Sequence, residues 1–294
     1  MPTTEARISQ KSIRQGRRRR RWVGRIVLPL ILLLVGGAGF IAFNTVRANF
    51  GEPSCRATAL GRSVTFTPEQ TANAATITAI ALKRGLPARA ATIANATAIV
   101  ESKLRNLTYG DRDSLGLFQQ RPSQGWGTAE QVLDPVHATN KFYDALVKVD
   151  GYQSMVITQV AQEVQHSGFP QAYADHEEEG RILASTLAGH SPGGLGCRLD
   201  APTVSTAAAV IAADLTAEMG VPAAAAGRDV RVTARTTQEA WAAGSWAVAH
   251  AEVDGITSVT VGSRTWTRAR GEEAWSWDKA SRPLAATSVR ITRF

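Results

Sequence analysis

The chain has 294 residues, 44% of them hydrophobic and 20% charged, and a formal net charge of +8; this is enough apolar material for one large core or two smaller ones. The charge is local: nine Lys/Arg lie in Met1–Arg25 beside one acid, Glu5, and the other 24 basic residues are matched by 24 acidic ones. A neutral remainder excludes the broad basic face that nucleic-acid binding needs, so the pI of about 10.0 describes a tail.

Ile26–Phe43, IVLPLILLLVGGAGFIAF, follows that tail with eighteen residues free of charge. At a helical rise of about 1.5 Å per residue it nearly crosses a hydrocarbon core, and Trp22 falls at interface level. The five arginines upstream predict residues 1–25 as a basic cytoplasmic tail, 26–46 as a transmembrane anchor, and the rest as extracytoplasmic at the cell membrane. The alternative is a cleaved signal peptide ending near Val46-Arg47-Ala48, against which the apolar run exceeds the usual ~7–15 residues of a signal core. Cys55 and Cys197 are the two cysteines and both fall on the exported side, which predicts a disulfide clasping one domain; two free thiols are the alternative.

Thr67-Pro68-Glu69-Gln70 reads as a helix start, with a threonine cap, proline at the first position and glutamine at the capping-box position. That helix is expected to end near Lys83, before Arg84-Gly85. Pro87 opens a second, alanine-rich helix to Ser102 or Leu104, and Asp134-Pro135 a third with Val136, Phe142, Leu146 and Val149 on one face. Val156–His166 and Tyr173–Leu187 give two more. Between the second and third helices, Asn106–Gly127 has the composition of a long ordered loop or small hairpin, a kind of segment that tends to be functional. After the glycine-rich Ser191–Gly196 the pattern changes. Ser205–Met219 and Trp241–Ala251 read as helices, and Val230–Thr233, Ile256–Val261, Thr265–Thr267 and Val289–Thr292 as short strands.

Glu101 closes the second helix, where unpaired helix-end carbonyls disfavour a carboxylate and the apolar Ala98, Ile99 and Val100 add desolvation. Such a glutamate can hold its proton near neutral pH and act as a general acid towards a glycosidic oxygen. A solvated helix-end glutamate paired with Lys103 or Arg105 is the plainer alternative. Asp111 or Asp113, at hairpin distance, would supply a second carboxylate for a water nucleophile; the plainer reading of Gly110–Ser114 is a charged turn.

Glu101-Ser102, followed by Gly116-Leu117-Phe118-Gln119, resembles the Glu-Ser…Gly-Leu-Met-Gln signature of lysozyme-like lytic transglycosylases of the SLT/goose-type lysozyme superfamily. The string GDRDSLGLFQQRPSQGWG resembles that of exported proteins of high-GC Gram-positive bacteria. Val164-Gln165-His166-Ser167-Gly168 stands where that family has Ala-Tyr-Asn-Ala-Gly, so the family's tyrosine is missing there and Tyr173, on the next turn or helix, is the candidate substitute. The resemblance implies that Glu101 is catalytic and that Ser102, Gly116, Gln119, Gln120, Trp126, Gln165 and Tyr173 surround the sugar. In that scheme Ser102 supports from behind, Gln119 and Gln120 address N-acetyl groups, Gly116 permits close backbone approach, and Trp126 either stacks on a pyranose or fills core. A single glutamate suffices because the sugar's own 6-hydroxyl is the nucleophile.

TTQEAWAAGSWAVAHAEVDGITSVTVGSRTWTR and SVRITRF resemble, more faintly, the carboxyl-terminal half of D-Ala-D-Ala carboxypeptidase-like metallopeptidases, but the strand that carries their histidines reads Val289-Arg290-Ile291. His137, His166, His176, His190 and His250 have no metal-ligand spacing, so neither metal nor cofactor is expected. The sequence therefore predicts a mainly α fold: a lysozyme-like helical domain at 47–198 after a single N-terminal transmembrane helix, then a small α+β domain at 199–294. It predicts cleavage of peptidoglycan glycan strands, with a non-catalytic glycan-binding scaffold among cell-wall assembly proteins as the alternative.

Overall fold

The computed structural model describes residues 51–165 and 171–294, together with Gly37 and Gly39. The predicted tail and anchor, residues 1–46, otherwise lie outside the described residues. Among those described, no helix is long and apolar enough to cross a membrane, so the single transmembrane helix has no support in the structure.

The described segment from Gly51 opens with a hairpin that the helical reading missed. Strands β1 (Ser54–Ala59) and β2 (Arg62–Phe66) pair antiparallel from Cys55↔Phe66 to Ala59↔Arg62, leaving Leu60-Gly61 as a two-residue turn. Both turn residues have positive φ, 56° and 74°, the geometry that matches strand twist in tight hairpins. Glycine meets that demand freely; a leucine there hides the signal.

Helix α1 (Pro68–Lys83) starts as its sequence dictates: Thr67 Oγ1 accepts from the Gln70 N–H, and Gln70 Oε1 accepts from the Thr67 N–H. Helix α2 (Ala88–Ser102) is alanine-rich and almost wholly buried. After a loop come α3 (Ala129–Leu133), α4 (Pro135–Leu146, capped by Asp134), α5 (Ile157–Gln165), α6 (Ala172–Asp175) and α7 (Glu177–Leu187). Helix α7 packs tightly on α2 because Gly180 has no side chain: a Cβ there would stand 2.6 Å from Thr92 O and 3.0 Å from the Ala96 Cβ. Gly180→Val is therefore expected to cost about 1–3 kcal/mol or more by forcing the helices apart, read as a lowered denaturation midpoint with an unchanged slope.

Strand β3 (Leu195–Arg198) returns to β1 in antiparallel register, placing Cys55 opposite Cys197 in a three-stranded sheet ordered β2-β1-β3. The two cysteines form the predicted disulfide. Beyond it, α8 (Ala208–Met219), β4 (Ala223–Ala226), β5 (Asp229–Thr233), α9 (Thr237–Ala249), α10 (Ala251–Asp254), β6 (Ile256–Val261), β7 (Arg264–Thr267), β8 (Asp278–Lys279) and β9 (Ser288–Arg293) follow. The six strands form one antiparallel sheet in the order β4-β5-β9-β6-β7-β8. Helix α9 packs against both this sheet and α1, and Glu52–Phe294 form one compact unit.

The mainly α expectation is thus overturned: the described residues are 45% helix and 20% strand, with two antiparallel sheets among them. The four strands foreseen in the last third all lie in the larger sheet. The shortfall is in β1–β4 and β8, whose alanines, arginines and short runs carry little strand signal.

One buried acid bears on stability. Burial pushes the Asp254 carboxyl up, against the attraction of His250 and a hydrogen bond with Thr206; nearby Asp214 and Glu218 push the same way as burial. A raised folded-state pKa means the folded protein binds the extra proton. Its contribution is full below the unfolded value near 3.8 and fades as pH rises through the higher folded value. Thermal scans across this interval should show Asp254→Asn losing less stability with rising pH than the parent.

Candidate active site

Helix α2 carries Glu101 to its last turn, half-buried, with the fully packed Ile99 and Ser102 around it. The chain then does something costly. Lys103 and Leu104 both adopt left-handed backbone, φ 54° and 58°, a conformation that non-glycine residues seldom take and almost never in succession. Their carbonyls are captured by side chains of α1: Gln70 Nε2 donates to Lys103 O at 2.8 Å and Asn73 Nδ2 to Leu104 O at 2.8 Å. The Leu104 N–H reaches back to Ala98 O at 3.0 Å, and the Leu104 side chain is fully buried. Gln70 therefore has two tasks, closing the start of α1 and bracing the backbone just past the glutamate.

The loop after α2 folds as a small hairpin with bridges Leu107↔Gly116 and Leu115↔Gln120. Its tip, residues 116–119, turns on Gly116 (φ 76°) and on Gln119, whose φ of 48° is again left-handed. Leu117 and Phe118 drive the tip inward; both are buried, and Phe118 stacks on Phe142 of α4 with ring centres 4.6 Å apart. The Ser102 hydroxyl lies 2.7 Å from Leu117 O and 3.1 Å from Ala98 O, which ties the tip to the residue after Glu101.

Tyr173 completes the arrangement. It is fully buried on α6, and its hydroxyl donates to Glu101 Oε1 at 2.5 Å across 72 positions of sequence. The helix-end glutamate, the hairpin tip and this phenol thus meet at one place. A phenol that donates to the carboxyl fixes its rotamer and so its position at this meeting point.

The other candidates fall into separate places. Gln119 is half-buried at the tip, its amide donating to Gly116 O at 3.2 Å and Tyr109 O at 3.4 Å. Gln120 points the other way: it is 2% exposed and donates to Ala138 O at 3.1 Å, so its side chain supports the fold from inside. Its Oε1 has no hydrogen-bond partner. Gly116 answers to packing, since a Cβ there would lie 2.5 Å from Val132 O. Trp126 packs partly against the core and lines an open groove of about 730 Å³ with Lys148, Met155, Glu163 and Val164; Glu101 does not line that groove. Gln165 is the last residue of α5, and His166–Pro170 lie outside the described residues.

The two aspartates are accounted for by the turn. Asp113 accepts from the Ser123 N–H and from Arg121 Nε, each at 2.8 Å, and these bonds hold its carboxyl well below the usual carboxylate range. The Asp111 side chain is 90% exposed and stands 4.0 Å from Arg112. Among the described residues there is no group of acidic, histidine or cysteine side chains that could hold a metal ion. The supporting amides Gln70 and Asn73 escaped the sequence reading, because a capping-box glutamine gives no sign of a second partner 33 positions on. No family model matches the chain, and no curated protein matches it.

Proposed function

We propose that the chain cleaves the glycan strands of peptidoglycan, with Glu101 as the single general acid and base. The observation that carries the reading is the hydrogen bond from Tyr173 to Glu101 Oε1, made where two successive left-handed residues are braced by Gln70 and Asn73. Strain of about 1–3 kcal/mol per such residue persists where the surroundings over-determine it, and it gathers at sites that must hold one geometry. The resemblance of Glu-Ser and Gly-Leu-Phe-Gln to the lytic transglycosylase signature supplies the substrate class.

In this scheme Glu101 gives its proton to the oxygen joining two amino sugars as that bond breaks. The new carboxylate is stabilised by the Tyr173 hydroxyl. It then takes the proton of the sugar's own 6-hydroxyl as that oxygen closes on the anomeric carbon, leaving an anhydro end. No second carboxylate takes part, in keeping with Asp113 being bound by Arg121 and Ser123, and with the exposure of Asp111. The intramolecular nucleophile is already positioned, which replaces the water-activating base of a hydrolase.

Purified sacculi in a gel should show a clearing band for the full chain and none for Glu101→Gln. Sacculus binding without clearing by the parent would assign the protein to the scaffold class instead. Tyr173→Phe keeps the ring in its buried slot and removes one donor to the carboxyl. It should lower kcat about tenfold with KM moved less than twofold, the pattern of an interaction made mainly in the transition state.

A further inference from the structure

A second cleft lies beside the disulfide sheet, with Thr58 of β1 in its lining. It encloses about 610 Å³ between the Ser191–Gly194 loop that leads into β3 and the strip Trp275–Trp277, with Trp241 of α9 and Arg264 of β7 at its sides. It shares no residue with the Glu101 site. Three of the seven tryptophans of the chain converge here. Trp277 is 8% exposed and belongs to the core, as Trp246 and Trp266 do, whereas Trp241 and Trp275 are half-buried and present surface to the cleft.

The indoles are held in place before any ligand arrives. Trp241 and Trp277 meet edge to face with ring centres 5.0 Å apart, and Trp277 Nε1 donates to Leu195 O at 2.7 Å. The Arg56 guanidinium lies 3.6 Å over the Trp275 ring and fixes its plane. Gly193 passes over Trp277 with no side chain to wall it off; a Cβ there would sit 3.5 Å from the indole edge. Among the lining residues Arg264 is the charged one, with one end bonded to Trp277 O at 3.3 Å, and Thr58, Ser191 and Ser276 add hydroxyls. The lining therefore offers flat apolar faces, hydroxyls and a cation, with no carboxylate.

That combination suits a ring with an apolar face, polar substituents around its edge and an anionic group. It suits an extended peptide poorly: of the neighbouring sheet edges β8 is only two residues long, and β3 is already occupied, its Leu195 carbonyl by the Trp277 N–H and its Gly196 by the Trp275 backbone. We propose that this cleft binds carboxylate-bearing sugars of a glycan as a non-catalytic site; the identity of that glycan with the polymer cut at Glu101 rests on the function proposed above.

The test uses the full chain carrying Glu101→Gln, so that binding is read without cleavage, and purified sacculi stripped of their peptides as the probe. Trp241→Ala and Arg264→Gln should each weaken retention about tenfold, the scale of losing an aromatic or arginine anchor. Arg264 is exposed, so its substitution leaves the fold intact if the tryptophan variant does not. Retention of an N-acetylglucosamine oligomer, which lacks the carboxylate, should be insensitive to Arg264→Gln. The proposal is overturned if stripped glycan binds equally to parent and both variants, or if retention requires the peptides. Failure of the catalytic reading looks different: the parent clears no sacculi, while retention still depends on Trp241 and Arg264.

Discussion

Glu101→Gln should reduce glycan cleavage by about a thousandfold, within the 10²–10⁴ that a positioned proton donor contributes. The substitution is close to isosteric. Its amide oxygen still accepts the Tyr173 hydroxyl, the half-buried side chain still meets the end of α2, and the buried Ser102 and Leu104 on either side are untouched. The thermal midpoint should therefore stay within a few degrees of the parent while the rate collapses. Glu101→Asp separates position from acidity: it keeps a proton but withdraws it by one methylene from the phenol, and a rate nearly as low as that of the glutamine variant is expected. Both rates are read from the decline in turbidity of a sacculus suspension at matched protein concentration. A glutamine variant that clears at more than a tenth of the parental rate would remove Glu101 from the chemistry.

Cys55→Ser with Cys197→Ser should be the most destabilising change outside the packed helices. The bridge joins positions 142 apart, so in the chain-entropy treatment it stabilises by about 5 kcal/mol. For a unit of this size that corresponds to a fall of roughly 10–20 °C in the thermal midpoint. The two half-cystines are directly opposed in the β1–β3 ladder, and both are buried. The double variant keeps the backbone hydrogen bonds of the sheet but frees its two outermost anchors in the unfolded chain. Calorimetry of parent, reduced parent and double variant should give one high midpoint and two similar low ones. Because β3 also leads from the tryptophan cleft, and α7 lies against β1 while packing on α2, loosening should be felt at both sites.

What could be read from residues alone was what the chain decides locally. The capping box at Thr67 and Gln70, the Asp134 cap before Pro135, and the strands of the last sheet from β5 onward, apart from the short β8, carry their causes in adjacent letters. The Glu-Ser and Gly-Leu-Phe-Gln segments marked the place where Glu101, Ser102 and the hairpin tip meet. Long-range decisions were not legible. The Leu60-Gly61 turn sits on a strand, β1, that is held on its other side by β3, a partner far downstream at Leu195–Arg198. Gln119 and Gln120 look alike as letters, yet the hairpin ladder pairs Gln120 with Leu115 and turns its side chain inward, leaving Gln119 at the tip. Tyr173 could be named as a substitute for the missing tyrosine, but only the packing of α6 beside α2 brings its hydroxyl to Glu101. The mainly α expectation failed for a related reason: alanine-rich segments such as Ala223–Ala226 are helix formers by propensity and become strand by pairing with Asp229–Thr233.

The decisive measurement is mass spectrometry of the sugars released from purified sacculi by the full chain in ¹⁸O-labelled water. The account predicts soluble fragments with anhydro ends and no ¹⁸O incorporated, absent when Glu101→Gln replaces the parent. Release of no fragments, or of the same fragments in equal yield by both proteins, would contradict it.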